Sequence, residues 1–135
     1  MKPLRIAIVC DGLTSMTGGA FISALRFARL LNDRGHKVVI LTSRRPDERA
    51  VDEYEGMRTY RFPSILVPKT ERRLYMALPR TSRVREILAR EEIELVHIAS
   101  PTPLSIAAIR AAKTLGLNIV SHSHTQPENI FLHLP

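Results

Sequence analysis

His122 and His124 stand two residues apart in the run SHSHTQPEN, so on a strand their imidazoles share one face. Such a pair can supply a base, or a hydrogen-bond donor to a sugar or phosphate. A metal would need a third ligand, and none is assigned. A histidine satisfied structurally at a strand end is the other reading. Near the start of the chain, Asp11 opens DGLTSMTGG, whose Gly18-Gly19 pair precedes a helical pattern. Glycine lets the backbone approach an oxyanion closely, and the N–H groups of a helix start attract negative charge, so a diphosphate fits there. The spacing is neither the GxGxxG dinucleotide fingerprint nor a Walker loop, and a plain tight turn is the alternative. There is no GxSxG nucleophile elbow. Cys10, the single cysteine, lies in the apolar run IAIVC and reads as a buried thiol rather than a nucleophile. One cysteine excludes an internal disulfide and a Cys-based zinc site.

These residues fall at the ends of apolar segments that can hold them. LRIAIVC (4–10) has strand length, and AFISALRFARLLNDRG (20–35) has helical spacing, with Phe21, Leu25, Ala28 and Leu31 on one face. Ser15 or Thr17 can cap that helix and Gly35 can stop it. HKVVILTS (36–43) is a second strand, which makes a strand–helix–strand unit with a parallel pair. Residues 44–56 read as a charged loop and MRTYRF (57–62) as a third strand. Pro63, Pro68 and Pro79 break up 63–80, which is predicted to be irregular or a short helix. A helix over 82–92 follows, facing inward with Val84, Ile87 and Leu88, then a fourth strand over 93–100. PTPLSIAAIRAAKTLG (101–116) is a helix with proline in its first turn and Gly116 at its end. LNIVSHS (117–123) is a fifth strand. KVVIL and LNIV lack polar alternation, the pattern of strands buried on both faces.

Strands alternating with helices predict a Rossmann-like, doubly wound α/β domain, with a mostly parallel sheet of about five strands and helices on both faces. Ligands of such sheets bind beyond the carboxyl ends of the strands. Asp11, Gly12, Gly18 and Gly19 follow the first strand, and Thr42, Ser43, Arg44 and Arg45 the second. His97, Ser100 and Thr102 belong to the fourth, and His122, His124, Thr125 and Gln126 to the fifth.

The chain has 135 residues, 44% of them hydrophobic, which suits one globular domain. No apolar run nears the ~18 residues that span a bilayer, and the first one is too short for a secretory signal. A reduced, cytoplasmic protein is expected. Residues 57–90 hold nine basic groups against two acidic ones, which accounts for the whole net charge of +7. Such a patch suits an anionic partner, and a solvated arginine-rich face is the alternative. Nucleic acid is disfavoured, because only Tyr60, Phe62 and Tyr75 are aromatic there and no RNA-binding motif is present. The same stretch carries apolar residues such as Ile65, Leu66 and Leu78, a mixture suited to an anionic membrane surface.

The succession IAIVCDG, TGGA, LNDRGHKVVILTS, ELVHIASPTPLSIAA and SHSHTQPENI resembles the N-terminal domain of a retaining family 4 (group 1) glycosyltransferase of the GT-B fold, over nearly the whole chain. The resemblance implies that residues 1–135 are the acceptor-side domain. It implies a nucleotide-sugar donor as substrate, no tightly bound cofactor, and a sugar or lipid-linked acceptor. Gly18 and Gly19 match the loop that reaches the donor diphosphate, and His124 matches a cleft histidine near the reacting centre. Asp11, Ser100, Thr125 and Gln126 are then substrate contacts. Ser123 stands where the family has an aromatic residue. The family's second, donor-binding domain is absent from this sequence, so the chain reads as truncated and inactive alone. A non-catalytic nucleotide- or phosphate-binding α/β module is the alternative.

Overall fold

The computed structural model describes residues 2–12, 19–68, 75–99 and 102–121, with side chains from residue 22 onward in the second stretch. In chain order the elements are β1 (Arg5–Val9), α1 (Gly19–Asp33), β2 (Lys37–Ser43), β3 (Val51–Tyr54), β4 (Met57–Phe62), β5 (Ser64–Leu66), β6 (Tyr75–Ala77), α2 (Thr81–Arg90), β7 (Leu95–Ile98), α3 (Pro103–Leu115) and β8 (Asn118–Ser121). Six strands form one sheet in the order β3-β4-β2-β1-β7-β8, and β5 and β6 pair in a small second sheet. All neighbours in the main sheet run parallel except β3 and β4. The predicted doubly wound α/β class is the observed one.

Helices cover both faces, as the alternating side chains of the strands require. Ile6, Ile8, Cys10, Val38 and Ile40 face one way and pack with Ala24 and Ala28 of α1. Ala7, Val9, Val39, Leu41, Val96 and Ile98 face the other way. There they meet Val84, Ile87 and Leu88 of α2 and the alanine-rich side of α3. Leu25, Ala28 and Leu31 face inward as predicted, Leu25 and Leu31 only in part, while the side chain of Phe21 lies outside the described residues. Pro103 opens α3, and Gly116 ends it in the left-handed region at φ 71°, as the sequence signals.

Three expectations need correction. Part of the charged loop 44–56 is strand β3, which returns antiparallel to β4 with Tyr54 opposite Met57. Its two-residue turn, Glu55-Gly56, has both φ values positive, at 51° and 83°, as a tight hairpin of this kind demands. Glu55 also accepts a bidentate pair of hydrogen bonds from Arg29 of α1, at 2.6 and 3.0 Å. Residues 63–80 contain no helix among those described; they form the β5–β6 hairpin instead. Finally, β8 is not buried on both faces. Among the described residues it is the sheet edge, Ile119 packs toward α3, and Val120 on the opposite face is 46% exposed. An edge strand has a neighbour on one side only, so an apolar run there need not mean full burial.

Candidate functional site

The strand order sets the place of the site. From β1 the chain passes through α1 to β2 on one side; from β7 it passes through α3 to β8 on the other. The two helices therefore leave the carboxyl ends of adjacent strands and diverge to opposite faces, opening a crevice between β1 and β7. Gly19 is the first residue of α1, and Thr102 caps α3 with an extended backbone. Both helix N-termini, with their partial positive charge, belong to this rim.

Asp11 stands at the end of β1 and is only 3% exposed. Its Oδ1 accepts the backbone N–H of Ala77 in β6 at 2.9 Å. Its Oδ2 meets no hydrogen-bond partner of ordinary geometry among the described residues, and the hydroxyl of Thr102 is in the same condition. Burial pushes the Asp11 carboxyl above the usual aspartate range, against the opposing pull of the Thr102 hydroxyl and the Ala77 N–H. Gly12 donates its N–H to Ser43 Oγ at 2.7 Å, which ties the loop after β1 to the end of β2. Thr42 and Ser43 are both buried, so they serve the frame of the rim. The Cys10 thiol is buried too, 3.6 Å from the Asp11 carbonyl, in keeping with the sequence reading.

His97 is the third residue of β7 and points to the α1 side. Its ring is buried and packs on Phe27 with centroids 4.7 Å apart. Both border an apolar cavity of about 350 Å³ with Ser23, Leu30 and Ala99. A second cavity, of about 300 Å³, lies at the carboxyl end of β2, between Arg44, Arg45, Pro46, Pro63, Ser64 and Tyr75. Ser64 and Tyr75 come from the hairpin that the sequence pattern did not reveal. The prolines flanking SIL were the only local signal, since strands of three residues are too short to show a period. The expectations placed on Gly18, Ser100, His122, His124, Thr125 and Gln126 lie outside the described residues, as do Lys69, Arg72 and Arg73.

At the opposite, amino end of the sheet sits a different cluster. Glu91, at the end of α2, is buried and accepts a 2.5 Å hydrogen bond from the Tyr60 hydroxyl. Lys37 Nζ lies 2.9 Å from it and Arg58 3.3 Å. Burial acts to raise its pKa, but Tyr60, Lys37 and Arg58 together outweigh that and hold the carboxyl below its ordinary range. Arg61 is also buried, paired with Asp52 at 2.5 Å and Glu48 at 3.4 Å. Of the basic stretch, Arg61 is thus engaged inside the fold, while Arg58 lies half-exposed beside its acid. No group of three or more potential metal ligands occurs among the described residues.

The architecture defines the class: an open α/β domain whose ligand crevice lies between β1 and β7. It shares that fold with a crystal structure of Acinetobacter baumannii MurG, at a TM-score of 0.63 and 19% identity over 90% of this chain and 35% of that one. Residues 17–134 match the model of Glycosyltransferase Family 4, and the chain belongs to that family. Among its relatives are a GDP-mannose-dependent alpha-mannosyltransferase of Mycobacterium tuberculosis, 29% identical, and the GPI3 subunit of the Saccharomyces cerevisiae phosphatidylinositol N-acetylglucosaminyltransferase, 30% identical. Each match covers 90% of this chain, but only 32% of the first relative and 27% of the second.

Proposed function

We propose that this chain is the acceptor-side domain of an enzyme that moves a sugar from a nucleotide-sugar donor to an acceptor hydroxyl, with retention of anomeric configuration. The observation that carries the reading is the family match across residues 17–134, on a sheet whose carboxyl rim gathers Asp11 and the starts of α1 and α3. In this reading Gly18 and Gly19 admit the donor diphosphate, because a backbone without Cβ lets its N–H groups close on phosphate oxygens. His124 acts beside the reacting centre, and Asp11, Ser100, Thr125 and Gln126 hold substrate. The donor is consumed as a substrate, so no resident cofactor is required.

The protein works in the cytoplasm, peripherally on an anionic membrane face. Supporting this, Ile65 is 48% and Leu78 50% exposed beside Leu66, and Arg80, Arg83 and Arg85 are exposed nearby in sequence. No helix among the described residues is long and apolar enough to cross a membrane.

The test is a transfer assay with a panel of sugar nucleotides. GDP-mannose comes first, since a relative is named for it. Proton NMR of the product reads its anomeric configuration. A product with the donor's configuration supports the proposal. A folded protein of the relatives' full length that transfers nothing from any donor overturns it.

A further inference from the structure

Five arginines are paired with an acid among the described residues: Arg5, Arg29, Arg58, Arg61 and Arg83. Arg44 and Arg45 are adjacent, line one cavity, and form no ion pair with a carboxylate among the described residues. Of the two acids that follow in sequence, Asp47 forms no ion pair with either arginine among the described residues, and Glu48 is committed elsewhere. Its Oε1 accepts the backbone N–H of Arg45 at 2.9 Å, and its Oε2 faces Arg61.

The two guanidinium groups are also held in place. Arg44 donates through Nε to the Glu48 carbonyl at 2.7 Å, and its backbone N–H goes to Ser64 Oγ at 2.9 Å. Ser64 in turn donates to the Phe62 carbonyl at 2.7 Å, so it fixes the cavity wall. The Arg45 guanidinium stands over the Tyr75 ring, 5.8 Å from its centroid. Its charge is thereby oriented by the ring face without being cancelled. Pro46 and Pro63 supply stiff walls. Two like charges in one concavity repel each other, and an anion between them removes that repulsion. The arginine fork matches the oxygens of phosphate in geometry as well as charge. The cavity, about 300 Å³, is at the lower end of the range for small-molecule sites, roughly 300–1,000 Å³. That leaves room for a phosphate and part of the group esterified to it.

We propose that the cavity between the end of β2 and the β5–β6 hairpin is a binding site for a phosphate ester, with Arg44 and Arg45 as its partners. The ester is carried by a lipid headgroup or by a free sugar or polyol phosphate; the chemistry that recognises it is the same. The site stands on this cavity's geometry and does not rest on the glycosyltransferase reading.

The 135-residue chain is titrated at low salt with glycerol 1-phosphate, and separately with vesicles of phosphatidylcholine with and without phosphatidic acid. Binding is followed by amide chemical shifts and by co-sedimentation. Saturable binding of the soluble ester, shifting the amides of Arg44, Arg45 and Ser64, supports the site with a free ligand. Binding confined to phosphatidic acid vesicles supports it with a lipid ligand. In either case Arg44→Gln and Arg45→Gln should each weaken binding about tenfold or more, the loss of one charge-assisted contact. The backbone bonds at both positions persist in these variants, so folding is retained. No saturable binding of either form, or binding that both variants leave intact, overturns the proposal. Phosphate-ester binding by a protein that transfers no sugar keeps this site and removes the transfer reading.

Discussion

Asp11 and Ala77 are 66 positions apart in sequence, yet the carboxylate of the first accepts the backbone N–H of the second at 2.9 Å. This single bond fastens the β5–β6 hairpin to the end of β1, and so to the rim of the ligand crevice. It also holds a carboxylate in a setting that burial makes unfavourable for its charge.

Replacing Asp11 by Asn retains an oxygen for the Ala77 N–H and removes the charge. A carboxyl whose folded pKa is raised costs stability above that pKa and nothing below the unfolded value of 3.8. Asp11→Asn should therefore be more stable than wild type near pH 7, and the gap should close as pH falls toward 3.8. Asp11→Ala, which leaves the Ala77 N–H unpaired, should be destabilised by about 1–3 kcal/mol. Thermal melts across pH check both.

Glu91 has the opposite sign. Its folded pKa lies below the ordinary 4.5, so its contribution is fully present above that value and is lost as pH falls through the folded pKa. Glu91→Gln should cost about 2 kcal/mol at pH 7. The half-exposed Lys37 and Arg58 keep this below the 3–5 kcal/mol of fully buried pairs. The difference between the two proteins in urea midpoint should shrink steadily in acid.

Gly56→Ala should destabilise by about 1 kcal/mol, from backbone strain alone. An added Cβ there meets nothing within 4 Å, and the φ of +83° is the whole cost. An equal loss in Gly56→Ala and Gly56→Ser, read from melting temperature, would agree with strain rather than crowding.

Two variants address the reaction itself. On the proposed reading, in an enzyme of the relatives' full length, His124→Ala should lower the transfer rate about 10²-fold or more, as for a positioned group acting in the transition state. Gly19→Val should abolish turnover with the circular dichroism spectrum unchanged. Donor kinetics indifferent to it would remove the phosphate role of the loop.

Long periodic segments were legible in the sequence. α2 and α3 show helical spacing with clear ends, and KVVIL reads as a central strand because β1 and β4 flank it. The hairpin turn at Glu55-Gly56 was not, because glutamate seldom takes a positive φ and gives no local sign that Arg29 will anchor it. The fate of Arg61 was equally hidden. Its neutralisation depends on Asp52 and Glu48 arriving from a segment that reads as loop. Of the site, the strand-end positions were predictable from the α/β pattern. The hydrogen bond from Ala77 to Asp11 was not, since no local rule links residues so far apart.

The two faces of the sheet are anchored unequally. α2 sinks Val84, Ile87 and Leu88 completely, each worth roughly 1.5–3 kcal/mol by transfer from water. Among its described side chains α1 sinks only the methyl groups of Ala24 and Ala28; Leu25 and Leu31 are buried in part, Phe27 rests on His97, and Ile22 and Leu30 are each 45% exposed. The sheet face beneath it, with Ile6, Ile8, Val38, Ile40 and Met57, is nevertheless buried, so lifting α1 would hydrate that whole face. In amide exchange the inner turns of α1 should therefore open only with the face they cover. The helix that begins at the glycine loop is held by what it covers more than by what it inserts, and small methyl groups at the contact leave it freer to tilt than to lift.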